Sequence, residues 1–210
     1  RLRAGKRFDV FEWRRDQERI AAMFRKRDRQ RVTVSSYRRD VGRPGEVAID
    51  YVVDPGPVTT LDVSGATLSA KALGDMREAW SQIGVDEFLE EEWREIAVED
   101  LVTQGYVGPR ITSPITTPDT PWIRRDGRVA IEPGQKVASR EVVFEGNALI
   151  PDEQLRRLIV TSHLDPTAWV RPSVLSAPIR ELYAALGHFE AQVATDPVRI
   201  EGERAILPVR

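Results

Sequence analysis

One spacing recurs three times and constrains everything else. Tyr183 is followed after three residues by Gly187-His188-Phe189, and three residues later by Val193. Leu101, Gly105-Tyr106-Val107 and Ile111 repeat that interval, and so do Phe24, Asp28-Arg29-Gln30 and Val34. Apolar residues precede each phrase in steps of three and four: Trp13, Ile20, Met23, Phe24; Trp93, Ile96, Ala97, Leu101; Leu175, Ile179, Leu182, Tyr183. That period predicts a helix, and a glycine after its last turn predicts a left-handed stop. Asp28, standing where the other copies have glycine, is expected to take the same left-handed conformation, which Asp tolerates better than most residues.

A short strand is expected after each stop, at Val32 to Arg38, Arg110 to Ile115 and Phe189 to Thr195. A second strand follows a turn. Val47 to Val53 closes with Asp54-Pro55-Gly56, Val129 to Ile131 closes with Glu132-Pro133-Gly134, and Arg204 to Arg210 is the third. The carboxylate-Pro-Gly endings are a second repeated mark, independent of the first. Upstream of the later two helices lies another pair, a strand ending in glycine and a first helix. These are Leu61-Asp62-Val63-Ser64-Gly65 with Ala70 to Ile83, and Val142-Val143-Phe144-Glu145-Gly146-Asn147 with Asp152 to Val160. The unit therefore reads strand, helix, helix, strand, strand, an α+β arrangement with two helices over one sheet. It is whole at 58–135 and 137–210. Residues 1–57 supply helix, strand, strand and lack the first strand and first helix. The period is too long for a helix-pair solenoid.

Chemistry of the catalytic kind is not legible. The chain has no cysteine, so disulfides, thiolate nucleophiles and thiolate metal sites are out. His163 and His188 have no metal-binding spacing. His188 reads as a packing residue at a strand start, and His163 as a loop residue after a helix. Ser162-His163-Leu164-Asp165 cannot form a triad, because neighbours in one loop cannot orient a base. The acidic run Glu87, Glu90, Glu91, Glu92, Glu95, Glu99, Asp100 reads as the solvated start of a helix, where carboxylates oppose the dipole favourably. Nothing resembles a phosphate-binding loop. The tryptophans read as core, except Trp122 in a proline-rich loop. No cofactor and no enzymatic activity are expected.

Charge is uneven along the chain. Residues 1–45 hold 15 Lys/Arg against 6 Asp/Glu, a net of +9, and the remainder carries −11, for −2 overall. The basic segment reads as a solvated, locally paired face that could also meet lipid headgroups or an acidic partner. It has no interleaved aromatic residues on a sheet face, so no nucleic-acid partner is expected. No apolar run reaches the length of a membrane span, and RLRAGKRFD has no signal-peptide core.

The element order, its repetition, the Val142–Asn147 strand and turn, and the Tyr183–Phe189 helix ending resemble the POTRA domain of the BamA/TamA outer-membrane assembly superfamily. The first copy departs at Asp28, and the middle copy has Val107 where an aromatic is common. The resemblance implies tandem POTRA domains, each with two helices packed on a three-stranded mixed sheet. It implies a periplasmic location ahead of a membrane barrel of about sixteen strands, unfolded outer-membrane clients, and accessory periplasmic or lipoprotein partners. The second strand of each domain would be an open edge that pairs with a guest strand. The client-binding residues expected are Val32, Thr33, Val34, Ser35, Ser36 and Tyr37 in the first copy. In the third they are Phe189, Glu190, Ala191, Gln192 and Val193. The middle edge is expected to be blunted by Pro114, Pro118 and Pro121. The loop Pro118 to Asp126, with Trp122, is a further candidate docking site. Two-partner secretion transporters and cell-division scaffolds carry the same domain and form the alternative reading.

Overall fold

The computed structural model describes residues 2, 4–116 and 122–210. Its elements are α1 (Val10–Arg25), β1 (Thr33–Asp40), β2 (Val47–Asp54), β3 (Val58–Ser64), α2 (Ala70–Gln82) and α3 (Asp86–Thr103). Then come β4 (Tyr106–Val107), β5 (Arg110–Thr112), β6 (Ile115–Thr116), β7 (Arg124–Glu132), β8 (Gln135–Lys136) and β9 (Ser139–Phe144). The last are α4 (Asp152–Thr161), α5 (Asp165–Ala168), α6 (Ser176–Ala185), β10 (Arg199–Glu201) and β11 (Arg204–Val209). Contacts divide the chain into two compact units. One is Arg1–Asp62, Gly74–Glu92 and Ser113–Val129; the other is Val63–Leu73, Trp93–Thr112 and Ala130–Arg210. β3, α2, α3 and β7 each run through the division.

In the first unit, α1 starts at Asp9, whose carboxylate accepts from the Phe11 and Glu12 amides at 2.8 and 3.1 Å. It stops at Asp28, with φ of 58°, the left-handed conformation expected there. The Arg29 amide then closes onto the Phe24 carbonyl at 3.2 Å. β1 and β2 form an antiparallel two-stranded sheet, paired from Thr33↔Asp54 to Asp40↔Val47. Gln17 Nε2 donates to Ser36 Oγ at 2.6 Å and ties α1 to the hairpin. Asp86 holds two arginines: Arg31 at 3.3 Å, and Arg125 through a short ion pair. Arg31 also donates to the Ile83 and Gly84 carbonyls just past α2. Burial, and then the nearby Arg125 charge, lowers its pKa. Glu90, from the acidic run, is not simply solvated. Its carboxylate accepts the Ile115 amide at 2.8 Å, and its carbonyl accepts the Ser113 hydroxyl at 2.6 Å.

The second unit contains the most regular domain. β11 is central, antiparallel to β10 (Arg199↔Ile206) and parallel to β9 (Arg204↔Ser139 through Val209↔Phe144), which makes a three-stranded mixed sheet. Phe144, Leu155, Ile159, Trp169, Leu175, Ile179 and Leu207 are buried together. The turn after β9 is closed by Asn147, whose Nδ2 donates to the Ile150 carbonyl at 3.0 Å and to Asp152 at 2.7 Å. His163 has φ of 53° and ends α4 as a left-handed residue, with the Leu164 amide on the Ile159 carbonyl at 3.0 Å. Gly105 and Gly187, at φ of 92° and 91°, end α3 and α6. Gly134 has φ of 76°, and a Cβ there would stand 2.2 Å from the Val107 carbonyl oxygen. The Pro-Gly mark therefore lets the outgoing chain press on the residues that follow the helix. Trp80, Trp93 and Trp169 are buried and Trp122 is exposed.

Candidate strand-pairing edges and clefts

The first edge is β1. It pairs with β2 on one side, and no strand among the described residues pairs on its other side. Thr33, Ser35 and Tyr37 are exposed, and Val34 and Ser36 are half-buried, so one face meets solvent and the other meets α1. Val32 does not belong to this edge. It is buried, precedes the strand, and donates its amide to the Arg29 carbonyl at 3.3 Å. The hairpin has a second free edge: no described strand flanks β2 either. Beside it, between β2 and α1, is a cavity of about 1420 Å3 with Ile20, Met23, Val47, Ile49 and Tyr51 in its lining. The Tyr51 hydroxyl is buried with no hydrogen-bond partner among the described residues, and burial raises its pKa.

The middle edge is broken. β5 pairs with β7 at Arg110↔Glu132 through Thr112↔Ala130, and β6 pairs with β7 at Ile115↔Gly127 and Thr116↔Asp126, with Pro114 between them. Pro118 and Pro121 lie outside the described residues. Trp122 and Ile123 are exposed at the start of β7, and the Ile123 carbonyl accepts the Val58 amide at 2.8 Å.

The third edge differs from the expected one. Phe189, Glu190, Ala191, Gln192 and Val193 form no regular strand. Pairing begins later. Ala194 and Arg210 exchange amide-to-carbonyl bonds at 2.7 and 2.8 Å, Thr195 bridges Val209, and the ladder resumes as β10 at Arg199. Pro197 has no N–H, so the ladder cannot run through it and the edge splits in two. Arg210 closes this end by a forked pair with Asp196, 2.6 Å to each oxygen. His188 is exposed instead of packed inside, with its ring edge-on to Tyr183 at 6.5 Å. A cleft of about 620 Å3 opens here, with Phe144, Leu149, Tyr183, Phe189 and Val209 in its lining.

Among the described residues no group of His, Asp and Glu is arranged to hold a metal ion, and no helix is long and apolar enough to cross a membrane. Residues 137–208 match the POTRA family, described as a surface antigen variable number repeat. No curated protein sequence matches the chain. Among solved structures, the third to fifth POTRA domains of Haemophilus influenzae BamA align at 13% identity, over 99% of this chain and 82% of that one, with a TM-score of 0.42. Haemophilus ducreyi BamA lacking its first three POTRA domains aligns at 15% identity over 72% of this chain and 28% of its own, with a TM-score of 0.45. The N-terminal domain of Thermosynechococcus elongatus Omp85 aligns at 18% identity over 99% and 86%, with a TM-score of 0.31.

Proposed function

Taking residues 137–208 as a POTRA domain, we propose that the chain is the periplasmic arm of an outer-membrane β-barrel assembly or translocation factor. It binds unfolded client strands and accessory proteins by adding them to its open sheet edges. It is not an enzyme, and a membrane barrel outside this sequence anchors it. The observation that carries the reading is β1, an eight-residue strand with one edge free among the described residues.

Backbone pairing fits this work because it ignores side-chain identity. Each net backbone bond contributes about 0.5–1.5 kcal/mol. Four or five give several kcal/mol, and ordering a floppy guest takes back much of it. Affinity per edge then falls at roughly high micromolar to millimolar. Weak capture with easy release is what a handler of many client strands needs, and several edges in series raise the effective concentration. The third edge contributes through Thr195 and β10, with Phe189–Val193 as its approach.

The test is titration of the 210-residue chain with a peptide spanning one strand of an outer-membrane barrel, followed by amide chemical shifts. Shifts at Thr33–Tyr37 are expected. Shifts only at Ile115–Thr116 and around Trp122 would overturn the edge reading. Trp122→Ala separates the docking-loop idea: unchanged capture of accessory proteins removes it.

A further inference from the structure

The two joints between repeats are built from different chemistry. Where the first repeat meets the middle one, the crossing links are polar. The Asp28 carbonyl accepts both the amide and the hydroxyl of Thr59, at 2.7 and 2.9 Å. Bonds that share one acceptor oxygen fix a point and leave the angle about it free. Arg31 supplies the angle. Its Nη2 donates to the Ile83 carbonyl at 3.3 Å, the Gly84 carbonyl at 3.2 Å and the Asp86 carboxylate at 3.3 Å, where α2 turns into α3. The linker is shaped to this contact. Gly56 has φ of 62°, and a Cβ there would stand 2.9 Å from the Arg31 carbonyl oxygen. Arg29 holds the Gly56 carbonyl through a short hydrogen bond.

Where the middle repeat meets the third, the seal is apolar. Val102 and Val107 of the middle repeat lie buried in one cluster with Val137, Phe144, Trp169 and Leu207 of the third. Backbone pairing reinforces it: Tyr106 with Lys136, Val107 with Gln135, and the Val137 amide on the Gly105 carbonyl at 2.8 Å. Apolar burial is spread over many side chains and is non-directional. The first joint instead turns on charge. Arg31 lies beside a second cation, Arg125, and Asp86 is the carboxylate that holds both. Burial and the Arg125 charge act against the charged Arg31, and Asp86 acts for it. Neither arginine's Nε has a partner among the described residues. Without the Asp86 charge, two like charges would face each other at close quarters.

We propose that Arg31 is the clamp of a hinge. It fixes the angle between the first and middle repeats, the bonds from Thr59 to Asp28 are the pivot, and the Asp86 charge keeps the clamp shut. β1 begins at Thr33, just after Arg31, so the clamp also sets the direction of the first edge. The proposal rests on the division of the chain into repeats after residue 57. It does not depend on whether β1 pairs with a guest.

The chain has no cysteine, so spin labels attach only where cysteines are introduced. Arg14→Cys with Glu87→Cys spans the first joint, and Glu99→Cys with Arg180→Cys spans the second; all four positions are exposed. Pulsed dipolar spectroscopy should read one narrow distance for each pair in the otherwise unchanged chain. Arg31→Met keeps the stem and removes the charge and the donors. It should abolish the narrow distance across the first joint and leave that across the second as it was. Asp86→Asn should also abolish it, and adding Arg31→Met to Asp86→Asn should open the joint no further, because the repelling pair is gone. Circular dichroism matching the parent restricts each reading to folded protein. Should Asp86→Asn fail to fold, Gly56→Ala takes its place, since it pushes the linker off the Arg31 carbonyl. A first-joint distance that stays narrow in Arg31→Met overturns the proposal. So does a broad one in the parent, or equal broadening at both joints. Failure of the strand-pairing reading would show elsewhere, as missing amide shifts at Thr33–Tyr37 with the barrel-strand peptide.

Discussion

Asp86 does the most with the fewest atoms. It faces Arg31 and Arg125, both largely buried, and each has an Nε with no partner among the described residues. Asp86→Asn would leave two neighbouring cations without a counter-charge, and breaking such a group costs about 3 kcal/mol. Urea unfolding should show a fall in unfolding free energy of about that size, and a loss below about 1 kcal/mol would mean the pair is solvated. Ser69 is a smaller case. Its hydroxyl accepts the Ala72 amide at 3.1 Å, and Asp100 holds it in place at 2.5 Å. Ser69→Ala should cost about 1 kcal/mol, as loss of a helix cap does. Asp126 supplies a pH signature. Hydrogen bonds from the Thr60 hydroxyl and then Arg124 lower its pKa below 3.8. A lowered folded value means stability that is present above 3.8 and lost as pH falls through the folded value. Asp126→Asn should therefore destabilise the protein at neutral pH, and the gap should close under acid.

At the scale of elements, the two kinds of sheet should differ in protection. β1 and β2 form a lone hairpin, whereas β11 is flanked on both sides over a buried apolar cluster. Local opening is cheapest where few apolar contacts hold the backbone. Amides of β1 should exchange with deuterium faster than those of β9 and β11, and equal protection would contradict this. Helices and their stops were the most legible elements. The apolar period locates α1, α3 and α6, and the shared spacing correctly gives Asp28 the glycine conformation. The third edge departs from its local pattern, in which Ala191 and Val193 alternate with polar neighbours as a strand would. Pairing is decided instead by the partner at 204–210 and by Pro197, which cannot donate. The cleft at Phe189 could not be read at all from local pattern. Its walls come from segments far apart in the chain, Phe144 to Leu149, Tyr183 to Val193 and Val209, and that is a tertiary fact.

At the scale of the molecule, the charge division sets a measurable expectation. The +9 of residues 1–45 is what remains after the segment's own carboxylates are counted, and within α1 Arg15, Arg19 and Arg25 pair with three of them, Glu12, Asp16 and Glu18. Among the described residues Arg14, Lys26 and Arg27 are exposed and make no ion pair. Any association of this segment with anionic vesicles should weaken steeply as salt rises from 50 to about 300 mM, because the Debye length shortens past the spacing of the charges. Binding that persists at high salt would point to apolar insertion instead.

The pairing of β11 with β9 also dictates an order of events. Residue 204 meets residue 139, so the central strand of this sheet is the last of its three strands to be synthesised. Until it arrives, Phe144, Leu155 and Ile159 have no Leu207 to pack on, and β9 presents a bare edge. A protein proposed to shelter unfinished strands is thus itself an unfinished strand for part of its own biogenesis, and in that interval would need the kind of shelter it is proposed to give.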